Sequence, residues 1–383
     1  MTTDDTLIIK PKVKIKVFGV GGGGNSVLMR MGQHNALDIE LFAVNTDAKQ
    51  LQLAAQVGGV NCIQIGENLT RGRGTGGNIG LGEQAAKLDA AKLQAAMNGA
   101  DLVFVTAGMG GGTGTGAAPI VARLAKEMGI LSVGVVTLPF AFEGNRKKKV
   151  AQDGITKMQS QMDALIAVEN DNLSKLPENR RMSLVQAFEC ADNILKQAIN
   201  CVAELILTTG VINVDFADVT TIFRQSESSD ALLGIGVSER SAVDAVKIAA
   251  ESPLIDKDLS GARGIILNLT GDSTLSLYDV DEATRYIVKH ADPEVNIILG
   301  TVEDSSMKGS VQATIIATDF ADSVVMKAPT VKVPESTIKT ETLQKESFQM
   351  EVPSFMNKQK DGKPSQPFAI PAFKLTDGPG RDK

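Results

Sequence analysis

The stretch Gly108-Met109-Gly110-Gly111-Gly112-Thr113-Gly114-Thr115-Gly116 follows the apolar run 102–105 and precedes Ala117–Leu124, which has helical spacing. A strand, a glycine turn and a helix N-terminus together make an anion site. Glycines admit close backbone approach, and unpaired N–H groups and the helix dipole point at the ligand. Pro119 suits an early turn of that helix, where no amide donor is needed. No Gly-Lys-Ser or Gly-Lys-Thr closes the loop, so it is not a P-loop with a built-in lysine. A flexible linker of this composition would not sit between a buried strand and an amphipathic helix.

A second glycine loop, Gly19-Val20-Gly21-Gly22-Gly23-Gly24-Asn25-Ser26, contains Gly19-x-Gly21-x-x-Gly24. Asp47 follows roughly twenty residues later, the spacing of a dinucleotide-binding fingerprint. A simple dinucleotide domain does not need the second phosphate-type loop at 108–116, and two loops on one rim suggest several phosphates held from two sides. A third glycine stretch runs from Leu69 to Asn78, with Arg73 inside it.

The elements that must position these loops alternate. Strands are expected at 14–19, 41–44, 102–106, 131–137 and 164–168, with helices beginning near Asn25–Met31 and over 83–98. This βαβα rhythm predicts a mostly parallel, Rossmann-like sheet with helices on both faces, and ligands gather at the carboxyl ends of such strands. Ser183–Leu207 predicts a long helix, apolar on several sides, between two layers. A second, smaller α/β domain is expected from Gly234 to Thr318, with a helix at 238–251 and strands at 263–269, 295–302 and 311–317.

Beyond Phe320 lie seven of the 13 prolines, with mixed charges and scattered apolar residues; that predicts a disordered linker. An apolar cluster returns at Pro367–Leu375 as a candidate docking peptide. The expected division is a flexible segment 1–13, a nucleotide domain 14–182, a central helix 183–209, a loop and helix 210–233, the second domain 234–320, a linker 321–366 and the peptide 367–383.

Bulk composition narrows the function. A formal net charge of −6 gives no support for nucleic-acid binding. Three widely spaced cysteines (Cys62, Cys190, Cys201) have no metal spacing and suggest a reducing compartment. With only His34 and His290, a histidine metal site or a Ser-His-Asp triad is disfavoured. No signal peptide or apolar run of about 20 residues is present, which predicts a soluble cytoplasmic protein without membrane insertion.

The loop at 108–116, taken with the rest of the chain from Ile15 to Phe320, resembles the tubulin/FtsZ superfamily of GTPases, and within it the bacterial FtsZ family of cell-division proteins. The resemblance implies GTP or GDP as ligand, with Mg²⁺ bound mainly through phosphates and water and no protein metal ligand. It implies a nucleotide site built from Gly22, Gly23, Gly24, Asn25, Ser26, Gly110, Gly111, Gly112, Thr113, Gly114, Glu143, Lys147, Asn170, Phe188 and Asp192. Glu143 fits a ribose-hydroxyl acceptor, and Lys147 stands where the family has an arginine, keeping charge but losing the planar fork. Asp192 can accept the guanine N1–H and N2–H, which adenine cannot supply, with Phe188 stacking on the base.

The resemblance further implies that Asn213, Asp215 and Asp218 enter the next subunit's site, where the carboxylates orient the attacking water. Helix capping is the competing role for either aspartate. The segment 224–230 is longer than the family pattern. The implied function is a GTPase that polymerises head to tail at a mid-cell ring, with membrane-tethering and regulatory partners on residues 367–375. The alternatives are a filament of the same superfamily acting in DNA segregation, and a Rossmann NAD-dependent enzyme.

Overall fold

In the computed structural model the residues described are 12–33, 37–175, 182–208, 212, 214–226, 229–255 and 259–320. They run β1 (Ile15–Val20), α1 (Gly21–Gly32), β2 (Ile39–Asn45), α2 (Ala48–Ala55), β3 (Val60–Gln64), α3 (Glu67–Thr70), α4 (Ile79–Leu88), α5 (Ala90–Met97), β4 (Leu102–Gly108), α6 (Gly112–Glu127), β5 (Leu131–Leu138), α7 (Asn145–Gln159), β6 (Ala164–Glu169), α8 (Asn170–Leu173), α9 (Leu184–Leu207), α10 (Phe216–Gln225), β7 (Asp230–Ser238), α11 (Ala242–Ala250), β8 (Ala262–Gly271), α12 (Leu277–His290), β9 (Asn296–Glu303) and β10 (Val311–Phe320). The linker 321–366, the peptide 367–383, most of the segment 1–13 and Asn213 lie outside the described residues.

Ten strands form one sheet in the order β3-β2-β1-β4-β5-β6-β7-β10-β8-β9. The first half is parallel throughout, and β7 continues it beside β6. Parallel strands are covered on both faces, so they read as continuous apolar runs. β1, β4 and β5 do so, and their side chains sort by strand alternation. Ile15, Val17, Leu102, Phe104, Val133 and Val135 pack on one face with α1, α2 and α9. Phe18, Val20, Val103, Val105, Val136 and Leu138 pack on the other with α4, α5, α6 and α7.

In the second, C-terminal domain, β10 is antiparallel to both β7 and β8, and α11 and α12 cover a separate apolar cluster. α9 joins the two. It starts with a capping box, in which Ser183 Oγ accepts from Gln186 N and Gln186 Oε1 from Ser183 N. Along its 24 residues it packs on α1 and β5 and then on β9, where Leu205 lies directly over Gly300.

Several expected boundaries move. α1 begins at Gly21 rather than Asn25, so the first glycine loop is itself the opening helical turn. α6 begins at Gly112, which places Pro119 two turns inside the helix rather than at its start. The ring therefore removes a backbone donor that the early-turn reading did not count as lost. The segment 83–98 is two helices, because Asp89 leaves helical geometry at the junction and its carboxylate accepts from Gly66 N at 2.7 Å. The helix at 238–251 shortens to Ala242–Ala250, since β7 extends to Ser238.

Leu195 in α9 is 2% exposed in the shared core. Leu195→Ala is expected to lower the unfolding free energy by about 2–5 kcal/mol, read as a fall in the denaturant midpoint of the nucleotide-free protein. A loss below about 1 kcal/mol would contradict a helix clamped between layers.

Candidate functional site

Because β1, β2, β4, β5 and β6 are parallel, their carboxyl ends share one edge. The turn after β1 opens α1 at Gly21, and the turn after β4 opens α6 at Gly112. Neither helix has a side-chain cap or an acidic residue in its first turn. Their leading N–H groups therefore have no partner one turn earlier, and both positive dipole ends face the same rim.

The two ends touch. Gly21 has φ +73°, and a Cβ there would lie 2.8 Å from Gly114 N. A Cβ on Gly114 would lie 2.6 Å from Gly108 O. By contrast, Cβ atoms on Gly22 and Gly111 would meet nothing within 4 Å, so no protein atom demands glycine at either position. The open space above them is room for a ligand. Gly22, Gly23 and Gly111 are exposed, whereas Gly24, Gly110, Gly112 and Gly114 are buried supports.

Side chains lock this rim. Thr113 and Thr46 share a hydroxyl–hydroxyl hydrogen bond of 2.8 Å, tying α6 to the end of β2. Asn25 is fully buried; its Nδ2 donates to Gly19 O at 2.8 Å, and its Oδ1 accepts from Asn45 Nδ2 at 2.7 Å. Both polar ends of Asn25 are thus engaged within the protein, while Ser26 is half-buried beside it. The third glycine stretch folds against the same edge through a bridge between Asp47 and Arg73, whose side chain is exposed.

The ends of β5 and β6 supply a second wall. Glu143 Oε1 accepts from Phe140 N, and Lys147 Nζ pairs with Glu143 Oε2, both at 3.0 Å. The Lys147 carbonyl faces Gly110, which joins this wall to the loop after β4. Asp171 Oδ1 accepts from Ala141 N at 2.9 Å and ties that turn to α8. Asn170, at the start of α8 just after β6, is 4% exposed, and among the described residues its Oδ1 has no hydrogen-bond partner. A buried acceptor without a donor is costly.

The N-terminal half of α9 completes the wall. Phe188 is 42% exposed and meets Phe140 edge-on at 5.5 Å between centroids. One turn on, Asp192 Oδ2 accepts from Arg30 Nε at 3.1 Å, and Arg30 Nη2 reaches Glu189 Oε1 at 3.3 Å. Burial pushes the Asp192 carboxyl up to about 6; Arg30 pulls it down and Glu189 adds to the rise. Sequence reasoning missed Arg30, which lies 162 residues from its partner.

Asp215 and Asp218 lie elsewhere. Asp215 occupies the N-cap of α10, yet its side chain makes no capping bond, and both aspartates are exposed. Asp215 lines a hollow with Ile206, Leu207, Lys12 and Val13, just before β1 begins. That is the amino edge of the sheet. β1 alone separates it from the glycine rim by about 20 Å, and α9 spans about 36 Å between the two ends.

Residues 14–178 match the Tubulin/FtsZ family, GTPase domain, and residues 229–321 match the FtsZ family, C-terminal domain. An empty FtsZ dimer of M. jannaschii is 39% identical with a TM-score of 0.76, over 80% of this chain and 88% of that one. The chain belongs to the FtsZ family. A mutant FtsZ of M. jannaschii gives 38% identity and TM-score 0.76 over 81% and 92% of the two chains. CetZ2 from Haloferax volcanii, as a GTPγS-bound protofilament, shares the fold at 24% identity and TM-score 0.65, over 81% and 94%.

As an FtsZ-family protein the chain is a GTPase with a filament-forming fold. Gly114→Ala is expected to weaken GTP binding about tenfold or more, since relieving the clash with Gly108 O must shift the first turn of α6, against which Gly21 of α1 packs. Titration with a fluorescent GTP analogue checks this, and an unchanged Kd would show that the spacing of these helices does not shape the site.

Proposed function

We propose that this FtsZ-family GTPase assembles head to tail into the filaments of the bacterial division ring and hydrolyses GTP at each subunit junction. The observation that carries the reading is the separation of Asp215 and Asp218 from the glycine rim, by roughly the length of the strands. Groups that far apart cannot act on one phosphate within one chain. Stacked copies bring the amino edge of one onto the carboxyl edge of the next.

In this reading the first turns of α1 and α6, through Gly22, Gly23, Gly111, Gly112, Thr113 and Gly114, hold the phosphates by backbone N–H groups. Neither turn carries a carboxylate, so a Mg²⁺ ion would take phosphate oxygens and water as ligands and neutralise developing charge. Glu143 accepts from a ribose hydroxyl with Lys147 beside it. Asn170 and Asp192 accept from guanine, with Phe188 on the base face. Asn25 holds the first loop in place, and Ser26 offers a hydroxyl to the phosphate or the base. Asp215 and Asp218 of the neighbour, flanked by Asn213, orient the attacking water. The uncapped Asp215 carboxylate is free for that task.

Assembly completes the catalytic set, and loss of the γ-phosphate then weakens the junction. Residues 367–375 engage membrane-tethering and regulatory division proteins through Phe368, Ile370 and Phe373, which places the filament at mid-cell.

Asp215→Ala is expected to keep GTP binding while hydrolysis falls about a hundredfold or more. Mixing it with an Asp192→Ala protein, defective in binding, is expected to recover activity, because some junctions pair an intact carboxylate with an intact pocket. Co-assembled mixtures that stay inactive at every ratio would contradict a shared site. Deleting residues 367–383 is expected to leave GTPase rate and filament formation unchanged and to abolish capture of the tethering partner in a pull-down. A severalfold drop in GTPase rate with partner capture intact would make the tail part of the enzyme instead.

A further inference from the structure

We propose that Arg30 is a positioning residue for nucleotide specificity, its guanidinium holding the Asp192 carboxylate as an acceptor pair for the guanine Watson–Crick edge. The inference rests on the assignment of Asp192 to the base and adds a residue and a pH dependence to it.

Arg30 lies in the last turn of α1 and reaches across to α9 with a split grip, Nε to Asp192 Oδ2 at 3.1 Å and Nη2 to Glu189 Oε1 at 3.3 Å. Arg30 is thus anchored at two points on α9, one turn apart. Asp192 Oδ1 has no hydrogen bond within the described residues, and Oδ2 keeps a second lone pair. One oxygen is fixed by the protein, so the plane of the carboxylate is fixed, and its open side can take two parallel donors. A lysine point charge would hold the charge without this planar grip.

The charge state matters as much as the direction. The Asp192 side chain is only 15% exposed, and burial raises its carboxyl to about 6 against the pull of Arg30. The charged groups that face it are Arg30 from α1 and Glu189 from its own helix, and Glu189 pushes the same way as burial. Asp171 of α8 is turned to the Ala141 N–H. Among the described residues Arg30 is therefore the one cation opposing two effects that favour the protonated acid. A protonated Asp192 presents an O–H toward guanine N1–H and N2–H, donor against donor. With the free-state carboxyl near 6, guanine binding is favoured above that pH and lost below it.

Equilibrium binding of GTP and ATP to the full-length protein between pH 5.5 and 8.5, below the assembly threshold, tests the proposal. For the parent, GTP affinity is expected to be flat above about pH 7, to be halved near pH 6 and to fall more steeply below it, toward a limit of about tenfold per pH unit. In Arg30→Gln the onset is expected to move up by about one pH unit or more, with severalfold weaker GTP binding at pH 7 and recovery by pH 8.5. That recovery also shows the variant to be folded. Arg30→Lys should keep the parent's pH onset but recover only part of the neutral-pH affinity, because it returns the charge without the planar grip. Protonation of the γ-phosphate is common to GTP and ATP and to every variant, so the GTP-minus-ATP difference isolates the base.

An Arg30→Gln curve superimposed on the parent's, or displaced equally at every pH, would overturn the proposal. Asp192→Asn separates the two layers of inference. If it retains the preference for GTP, the base assignment fails and takes Arg30's role with it. If it loses that preference while Arg30→Gln tracks the parent, Arg30's role alone fails.

Discussion

Two helix N-termini can lie side by side only where no side chain separates them, and that close approach governs the rest of this molecule. Gly21 takes a backbone conformation that L side chains avoid, with the Gly114 amide beyond it and the Gly108 carbonyl beyond that. The glycines let β1 and β4, which are hydrogen-bonded neighbours, each turn straight into a helix without steric conflict. Two sets of leading N–H groups and two dipole ends then converge on one rim. The cost in backbone entropy is offset by the all-buried strands beneath, which hold the turns from below. Remaining features of the rim attach to this pair: Thr46 on Thr113, Asn45 on Asn25, and the Lys147 carbonyl over Gly110.

The same parallel topology that gathers the loops at one edge sends α10 to the other. α9 is the strut between them. Its first turns carry Phe188 and Asp192 beside the rim, and its last turn packs Leu205 on Gly300 of the C-terminal domain, next to the segment that leads to Asp215. A displacement of α9 along its axis would be felt at both ends. The contact of Arg30 with Glu189 and Asp192 is the polar fastening of its nucleotide end. The glycine rim and the edge that carries Asp215 are thus connected by one continuous helix rather than by a chain of loops.

Much of this was legible in the sequence because the demands are local. A glycine turn between an apolar run and a helix declares itself within ten residues. Eight of the ten strands were legible for the same reason; β3, an edge strand with half-exposed residues, and β7, which starts in a polar segment, were not. Helix starts were not, because glycines have poor helix propensity and α1 and α6 both begin inside their glycine runs. α12 has the spacing of Val280, Ala283 and Ile287, but Leu277 and Tyr278 are exposed in its first turn and blur the pattern. Long-range pairings left no trace at all. Nothing near Arg30 points to α9, and nothing near Asn170 shows that its side-chain oxygen would be buried without a partner among the described residues. The opposition of the carboxylate loop and the glycine rim likewise emerges only once strand direction is fixed.

The central claim is that one chain alone holds an incomplete catalytic site. The most direct measurement is the GTPase rate per molecule as protein concentration is raised through the onset of light scattering. A shared site predicts negligible turnover below a threshold and a steep rise that coincides with assembly. A rate per molecule that stays constant across that range would mean that each chain hydrolyses GTP by itself, and would contradict the account.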